Sequence, residues 1–322
     1  MPDIFFHLGL HKTGTTFLQR EVFPKIDPEM FCFLGKMSSL MKYIIYQDPA
    51  YFDAEGIRAR ILEHAHPQKI NLISNEDLSG DPLNGGIHRT NILSNLHSCF
   101  PNAKVLLFIR KQDDWALSNY LGSIRRGTNL PLRQFYGPAL DYEKSAWQRR
   151  YPNPTLELFR YSPYIRRLKT LFGEDASLIL PYEALKVDSD AVVRRLADFL
   201  QVKRPKYENV TRNYTWGKKR VAFHRMINLF VHSPQNPYGF IKGLPIYSFK
   251  DREIKYLTLR RLLVRCDMID SYDRLIDRFD SKFTDNKNVC KRIFANCIDD
   301  NRRIQKDYGI ELEPYGYLDC KI

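Results

Sequence analysis

Gly9-Leu10-His11-Lys12-Thr13-Gly14-Thr15-Thr16 sets two glycines, a lysine and three threonines between an apolar run and a helical stretch. These residue types suit an anion. Glycine lets backbone approach a phosphate closely, and the N–H groups of a strand–turn–helix point at it. The nucleoside-triphosphatase loop reads G-x-x-x-x-G-K-[ST]. Here Thr15 follows Gly14, and the lysine stands earlier, at Lys12. That shift argues against a magnesium–triphosphate site. It puts the cation inside the loop, over the group being transferred, at the bridging oxygen of a leaving phosphate.

A second constellation follows at Val105-Leu106-Leu107-Phe108-Ile109-Arg110, an apolar strand ending in arginine. The guanidinium is a planar fork suited to phosphate oxygens. Ser118 lies eight residues on. It can face back toward Arg110 if the next helix begins near Gln112.

His7-Leu8-Gly9-Leu10-His11-Lys12-Thr13-Gly14-Thr15-Thr16-Phe17-Leu18 resembles the 5′-phosphosulfate loop of sulfotransferases that use 3′-phosphoadenosine-5′-phosphosulfate (PAPS). Arg110 with Trp115-Ala116-Leu117-Ser118-Asn119-Tyr120 is similar to that family's 3′-phosphate motif. Looser likeness at Ser177–Leu185, and at Asn301, Gly309 and Tyr315-Gly316-Tyr317, points to its bacterial and carbohydrate-directed branch.

The resemblance implies an enzyme that moves the sulfuryl group of PAPS to an acceptor hydroxyl or amine. The product is 3′,5′-adenosine bisphosphate. The acceptor it implies is a glycan or glycolipid, and no metal is expected. It implies a catalytic Lys12 at the leaving phosphate. It implies cofactor contacts from His11, Lys12, Thr13, Gly14, Thr15, Thr16, Arg110 and Ser118. Lys218-Lys219-Arg220 fall where many members carry a late basic segment, although the usual glycine-rich signature is missing beyond Gly217.

An acceptor hydroxyl has a high pKa, so a positioned base assists its attack. Glu76, just past the second strand, is the first candidate, matching the place from which some members supply a glutamate base. His11 is the second, because it adjoins Lys12. His88 lies in a loop that could reach an acceptor, whereas His97 reads as a helix-face residue. Trp147, Tyr214 and Trp216 could stack a base or a sugar, but buried aromatics are commonly core.

The elements needed to position these groups are legible as strands alternating with helices. Ile4–Leu8, Lys69–Ser74, Lys104–Ile109 and Ser177–Pro181 read as buried strands. Ala54–His66, Arg89–Cys99, Asp113–Arg126, Tyr161–Phe172 and Asp188–Leu200 read as helices. Threonines at the first helix start are read as its caps. The expected fold is α/β, a P-loop-like doubly wound parallel sheet flanked by helices, with a C-terminal helical extension. Residues 1–322 are expected to form one domain, with a cofactor-binding core over 1–204 and a mainly helical remainder over 205–322. Asp251–Phe279 and Asp285–Tyr308 read as helices, and Ser233–Ile246 as a loop.

Composition bounds the alternatives. The 322 residues carry 50 Lys and Arg against 37 Asp and Glu, a formal charge of +13 that favours anionic partners. The basic pairs are dispersed, and no aromatic-interleaved ribonucleoprotein motif appears, so a nucleic-acid partner is not expected. An ATP-using P-loop kinase is the other class, weakened by the missing lysine after Gly14. Six cysteines without a C-x-x-C signal neither zinc nor a disulfide framework. With no leader-like segment and no apolar run of ~20 residues, a cytoplasmic setting is expected.

Overall fold

Short apolar runs that are buried on both faces build the sheet that carries the site. A computed structural model of the chain describes residues 2–86, 88–137, 155–208, 216–233, 236, 239–241, 244–248, 253–257, 283 and 287–319. Five strands pair in parallel in the order β2-β3-β1-β4-β5. They are β1 (Ile4–His7), β2 (Phe31–Gly35), β3 (Ile70–Ser74), β4 (Lys104–Ile109) and β5 (Ser177–Pro181). Such runs suit a parallel sheet covered by helices. Phe5, Leu72, Leu106 and Leu180 pack with Leu18, Val22, Phe23, Val193 and Leu196 from helical segments.

The order is informative. β1 lies centrally, with β3 on one side and β4 on the other. The connections out of β1 and β4, to β2 and β5, therefore diverge, which opens a crevice at the carboxyl ends of these strands. The loop after β1, the turn after β3 and Arg110 after β4 all leave from that edge.

The chain divides into two compact units. One comprises Met1–Trp115, Pro138–Arg212 and Cys290–Ile322, and contains the parallel sheet. The other comprises Ala116–Gly137 and Asn213–Val289. Within it the helix Lys218–Phe230 lays Asn228 against the Ile124 and Thr128 carbonyls, at 2.8 and 2.9 Å.

The expected helix over Asp251–Phe279 is corrected at its start. Glu253–Leu257 is strand β7, antiparallel to β6 (Leu244–Ser248). Glu-Ile-Lys-Tyr-Leu largely alternates polar with apolar and includes Ile and Tyr, so it fits a pleated strand better than a helix. β6 likewise takes the end of the expected Ser233–Ile246 loop. Residues 258–279 lie outside the described set. Asp285–Tyr308 contains two helices, Lys287–Ala295 and Ile298–Tyr308, broken at Asn296 and Cys297. β2 was not expected at all.

Two buried polar arrangements tie the sheet to its surroundings. His7 is fully buried, and its Nδ1 lies 2.8 Å from Ser74 Oγ across β1 and β3. Burial pulls the His7 pKa down to about 3. Asn301, also fully buried, exchanges hydrogen bonds with the Gln112 amide at 2.7 and 3.1 Å. It also donates to the Tyr317 carbonyl at 2.9 Å.

His7 stays neutral in the folded chain, while the unfolded chain takes up a proton below its ordinary 6.5. Stability from His7 is therefore complete above pH 6.5 and falls as the pH drops toward 3. The loss approaches about 1.4 kcal/mol per pH unit. Urea titrations at pH 7 and pH 5 should show a smaller drop in His7→Gln than in the wild type; equal drops would refute this. Asn301→Ala strands the Gln112 amide and the Tyr317 carbonyl, and should cost about 2–4 kcal/mol. Arg302→Ala, which breaks only an exposed pair with Asp299, should stay within about 1 kcal/mol in the same assay.

Candidate active site

The loop after β1 is built around two left-handed residues. Lys12 has φ 68° and Gly14 has φ 79°. Gly14 is the N-cap of the helix Thr15–Phe17, which continues through Leu18–Val22 as a π turn. A Cβ on Gly14 would stand 2.9 Å from Leu185 Cδ2 and 3.1 Å from Tyr182 Cε2, so the position needs glycine twice over. The expected threonine caps are not made. Thr13 Oγ1 instead donates to the Leu10 carbonyl at 2.5 Å, closing the loop on itself. Thr15 is 4% exposed, and its Oγ1 has no hydrogen-bond partner among the described residues. Thr16 and Lys12 are exposed.

Neighbouring elements hold this loop from three sides. Arg110 Nη1, at the end of β4, donates to the Lys12 carbonyl at 2.6 Å. Trp115 Nε1, one helical turn on, donates to the His11 carbonyl at 2.7 Å. Ser79 Oγ lies 3.4 Å from the Gly9 carbonyl and donates to the Glu76 carbonyl at 2.8 Å. Gln19, on the helix after the loop, reaches the Ser74 carbonyl and hydroxyl at 3.0 and 2.9 Å.

Arg110 is more than a strut. Its guanidinium lies 5.0 Å from the centre of the Tyr182 ring, and Lys186 Nζ lies 4.8 Å from the same ring. Arg110 Nε is buried without a hydrogen-bond partner among the described residues. Desolvation first, and the Arg110 charge second, lower the Lys186 pKa. Two cations thus share one aromatic ring at the sheet edge, at the distances of cation–π contacts. The segment carrying Arg110 is anchored from below. The Tyr161 hydroxyl donates to the Arg110 carbonyl at 2.7 Å. Glu183 accepts from the Lys111 N–H at 3.2 Å and from the Tyr317 hydroxyl at 2.5 Å. Burial raises the Glu183 carboxyl, against the opposing pull of the Tyr317 hydrogen bond.

The base candidates lie on the turn after β3. Asn75 caps the 3-10 helix Glu76–Ser79 by accepting from the Asp77 N–H at 3.0 Å. Glu76 Oε1 is 3.3 Å from Lys36 Nζ, and its side chain is 29% exposed. His11 is buried, and its Nε2 is 3.2 Å from Asp77 Oδ1. The loop, Arg110, Glu76 and His11 therefore share one sheet edge within one unit. Ser118 is half-buried on the helix Gln112–Arg125, which begins where the sequence reading required; it belongs to the other unit.

The remaining candidates separate. His97 packs edge-on against Phe172 at 5.6 Å, as a face residue does. His88 is exposed just before the helix Arg89–Cys99. Trp216 stacks on His224 at 4.3 Å, with the Arg125 and Arg220 guanidinium groups near its ring. Trp147 and Tyr214 lie outside the described residues. Sequence reasoning passed over Tyr182, Lys186 and Asp77, and gave Trp115 no role. A tyrosine directly after a buried strand was the available signal for Tyr182.

No family model matches the chain, and no curated protein matches it. Among solved structures, it is similar to a sulfotransferase from Alicyclobacillus acidocaldarius at 17% identity and TM-score 0.47, over 66% of this chain and 86% of that one. It is similar to a mouse sulfotransferase complexed with PAP at 16% identity and TM-score 0.40, over 95% of this chain and 89% of that one. It is also similar to the sulfotransferase domain from the curacin biosynthetic pathway at 13% identity and TM-score 0.36, over 97% and 99% of the two chains. These three solved structures are sulfotransferases.

Proposed function

We propose that the protein transfers the sulfuryl group of PAPS to a hydroxyl or amine of a carbohydrate-containing acceptor, a glycan or glycolipid. One observation carries the reading. Lys12 projects from a left-handed position inside a phosphate-type loop, and Arg110 from the neighbouring strand holds its carbonyl.

The residues fit the donor. The Thr15 hydroxyl and Arg110 Nε are buried polar groups without partners among the described residues, and each can donate to a phosphate oxygen. A Cβ on Gly9 would stand 2.9 Å from Thr15 Oγ1 and 2.7 Å from His7 Nε2, so the loop passes these side chains only with glycine there. PAPS supplies an activated sulfuryl group whose departure leaves 3′,5′-adenosine bisphosphate.

The chain's own groups have separable tasks in this reading. Thr15, Thr16 and the N–H groups around Gly14 hold the 5′-phosphate, with His11 and Thr13 shaping the loop beside it. Arg110 and Ser118 hold the 3′-phosphate. Lys12 balances the charge that grows on the leaving phosphate, in a preorganised place. Glu76 takes the acceptor proton, with Lys36 orienting its carboxylate. A second assignment, His11 as the base, is favoured by one observation. Its Nε2 stands 3.2 Å from Asp77 Oδ1, and it adjoins Lys12 in the loop.

Calorimetry should find 3′,5′-adenosine bisphosphate binding well above ADP. Arg110→Ala should weaken the bisphosphate by about 10–100-fold and ADP by clearly less, because the 3′-phosphate contact is charge-assisted while both ligands feel the loosened loop. Equal affinity for the two ligands in the wild type would remove this reading and favour an ATP-using kinase. Under saturating PAPS with a glycan acceptor, Lys12→Ala should lower kcat by about 10²–10³-fold, with bisphosphate affinity changed far less. Glu76→Gln should lower kcat by about 10²–10⁴-fold if Glu76 is the base. A larger loss in His11→Gln than in Glu76→Gln would move that role to His11.

A further inference from the structure

The helix Lys218–Phe230 is turned against the usual rule. An amphipathic surface helix buries its apolar stripe and shows polar residues to water. This helix buries Val221, His224 and Asn228. Asn228 and Asn236 make its inward contacts through hydrogen bonds, at 2.8 Å to the Ile124 carbonyl and 2.6 Å to the Asn228 carbonyl respectively. The opposite face carries Met226, Leu229 and Phe230, which are 51%, 54% and 44% exposed. Phe240 extends that face. It is 72% exposed and meets the Phe230 ring edge-on at 5.7 Å.

The segments that carry this apolar face are basic. Residues 116–137 and 213–241 hold seven Lys and Arg and no Asp or Glu; the acids of this unit begin at Asp251. Lys219 is exposed and lies on the same helical face as Met226, two turns earlier. Arg125, Arg126 and Arg133 are exposed elsewhere on the unit. An exposed apolar face beside such a charge has a matching surface in a bilayer rich in anionic headgroups. A second copy of the chain would bring the same positive charge to the contact and be repelled. No helix among the described residues is long and apolar enough to cross a membrane.

We infer that the face formed by Met226, Leu229, Phe230 and Phe240, with Lys219 beside it, docks this protein on an anionic lipid surface. The inference stands apart from the proposed transfer reaction, as it uses none of the residues assigned to it.

Vesicle flotation of the full chain tests it. Vesicles of phosphatidylcholine with about 30% phosphatidylglycerol should retain the wild type, and vesicles of phosphatidylcholine alone should retain at least about tenfold less. Raising salt to about 0.5 M should release most of the bound protein. Leu229→Ser/Phe240→Ser should weaken binding about tenfold, with an unchanged thermal midpoint, because both side chains are exposed. Equal retention on the two vesicle types would overturn the inference, and that arm needs no variant. Absence of vesicle binding, together with a dimer that dissociates in Leu229→Ser/Phe240→Ser, would assign the face to self-association and overturn it as well.

Discussion

A lysine at φ 68° sits in backbone space that a residue with a Cβ occupies at a cost of about 1–2 kcal/mol. Something must hold it there, and the Arg110 bond to its carbonyl is the most direct restraint. That one contact links the end of β4 to the loop after β1. It fixes the direction in which Lys12 leaves the loop, and it commits one arm of the arginine to structure while Nε stays buried and unpartnered among the described residues. Trp115 adds a bond to the preceding carbonyl, that of His11, so the loop is gripped by its acceptors. Its N–H groups remain suited to an anion.

Arg110 is held in turn. Tyr161 bonds its carbonyl, Glu183 takes the next N–H, and Tyr317 bonds Glu183 from the far end of the chain. Behind them, Asp300 accepts from the Tyr161 and Ser162 N–H groups, and burial raises its carboxyl. A carboxylate this enclosed is tolerated because backbone donors satisfy it. The site therefore rests on a polar floor assembled from segments that are remote in sequence.

Much of this was legible beforehand, and the reasons are local. β1, β3, β4 and β5 are continuous apolar runs bounded by turns, so their length and composition identify them. β2 escaped because Phe-Cys-Phe-Leu-Gly is a short edge run, only partly buried, with a register shift against β3 at Phe33 and Gly35. The β6–β7 hairpin escaped because Asp251–Phe279 was judged as one long stretch, which masked five residues with strand-like alternation. The loop and Arg110 were legible because their chemistry is written in consecutive residues. Tyr182, Lys186 and Asp77 were not, since what matters about each is a neighbour supplied by another element. The misjudged threonine caps have the same origin. Thr13 has a backbone carbonyl within reach that only the folded loop creates.

The Gln112–Asn301 amide pair joins residues 189 positions apart in a fully buried contact. Loop closure over such a span is slow and must precede the reward from the contact. During synthesis, the parallel sheet has all five of its strands once residue 181 has emerged. The polar floor beneath Arg110 still lacks its last wall until Asn301 and Tyr317 follow. Asn301 and Tyr317 come from the end of the chain, so a chain that stops short of them has no means of holding Gln112 and Glu183 as the folded protein does.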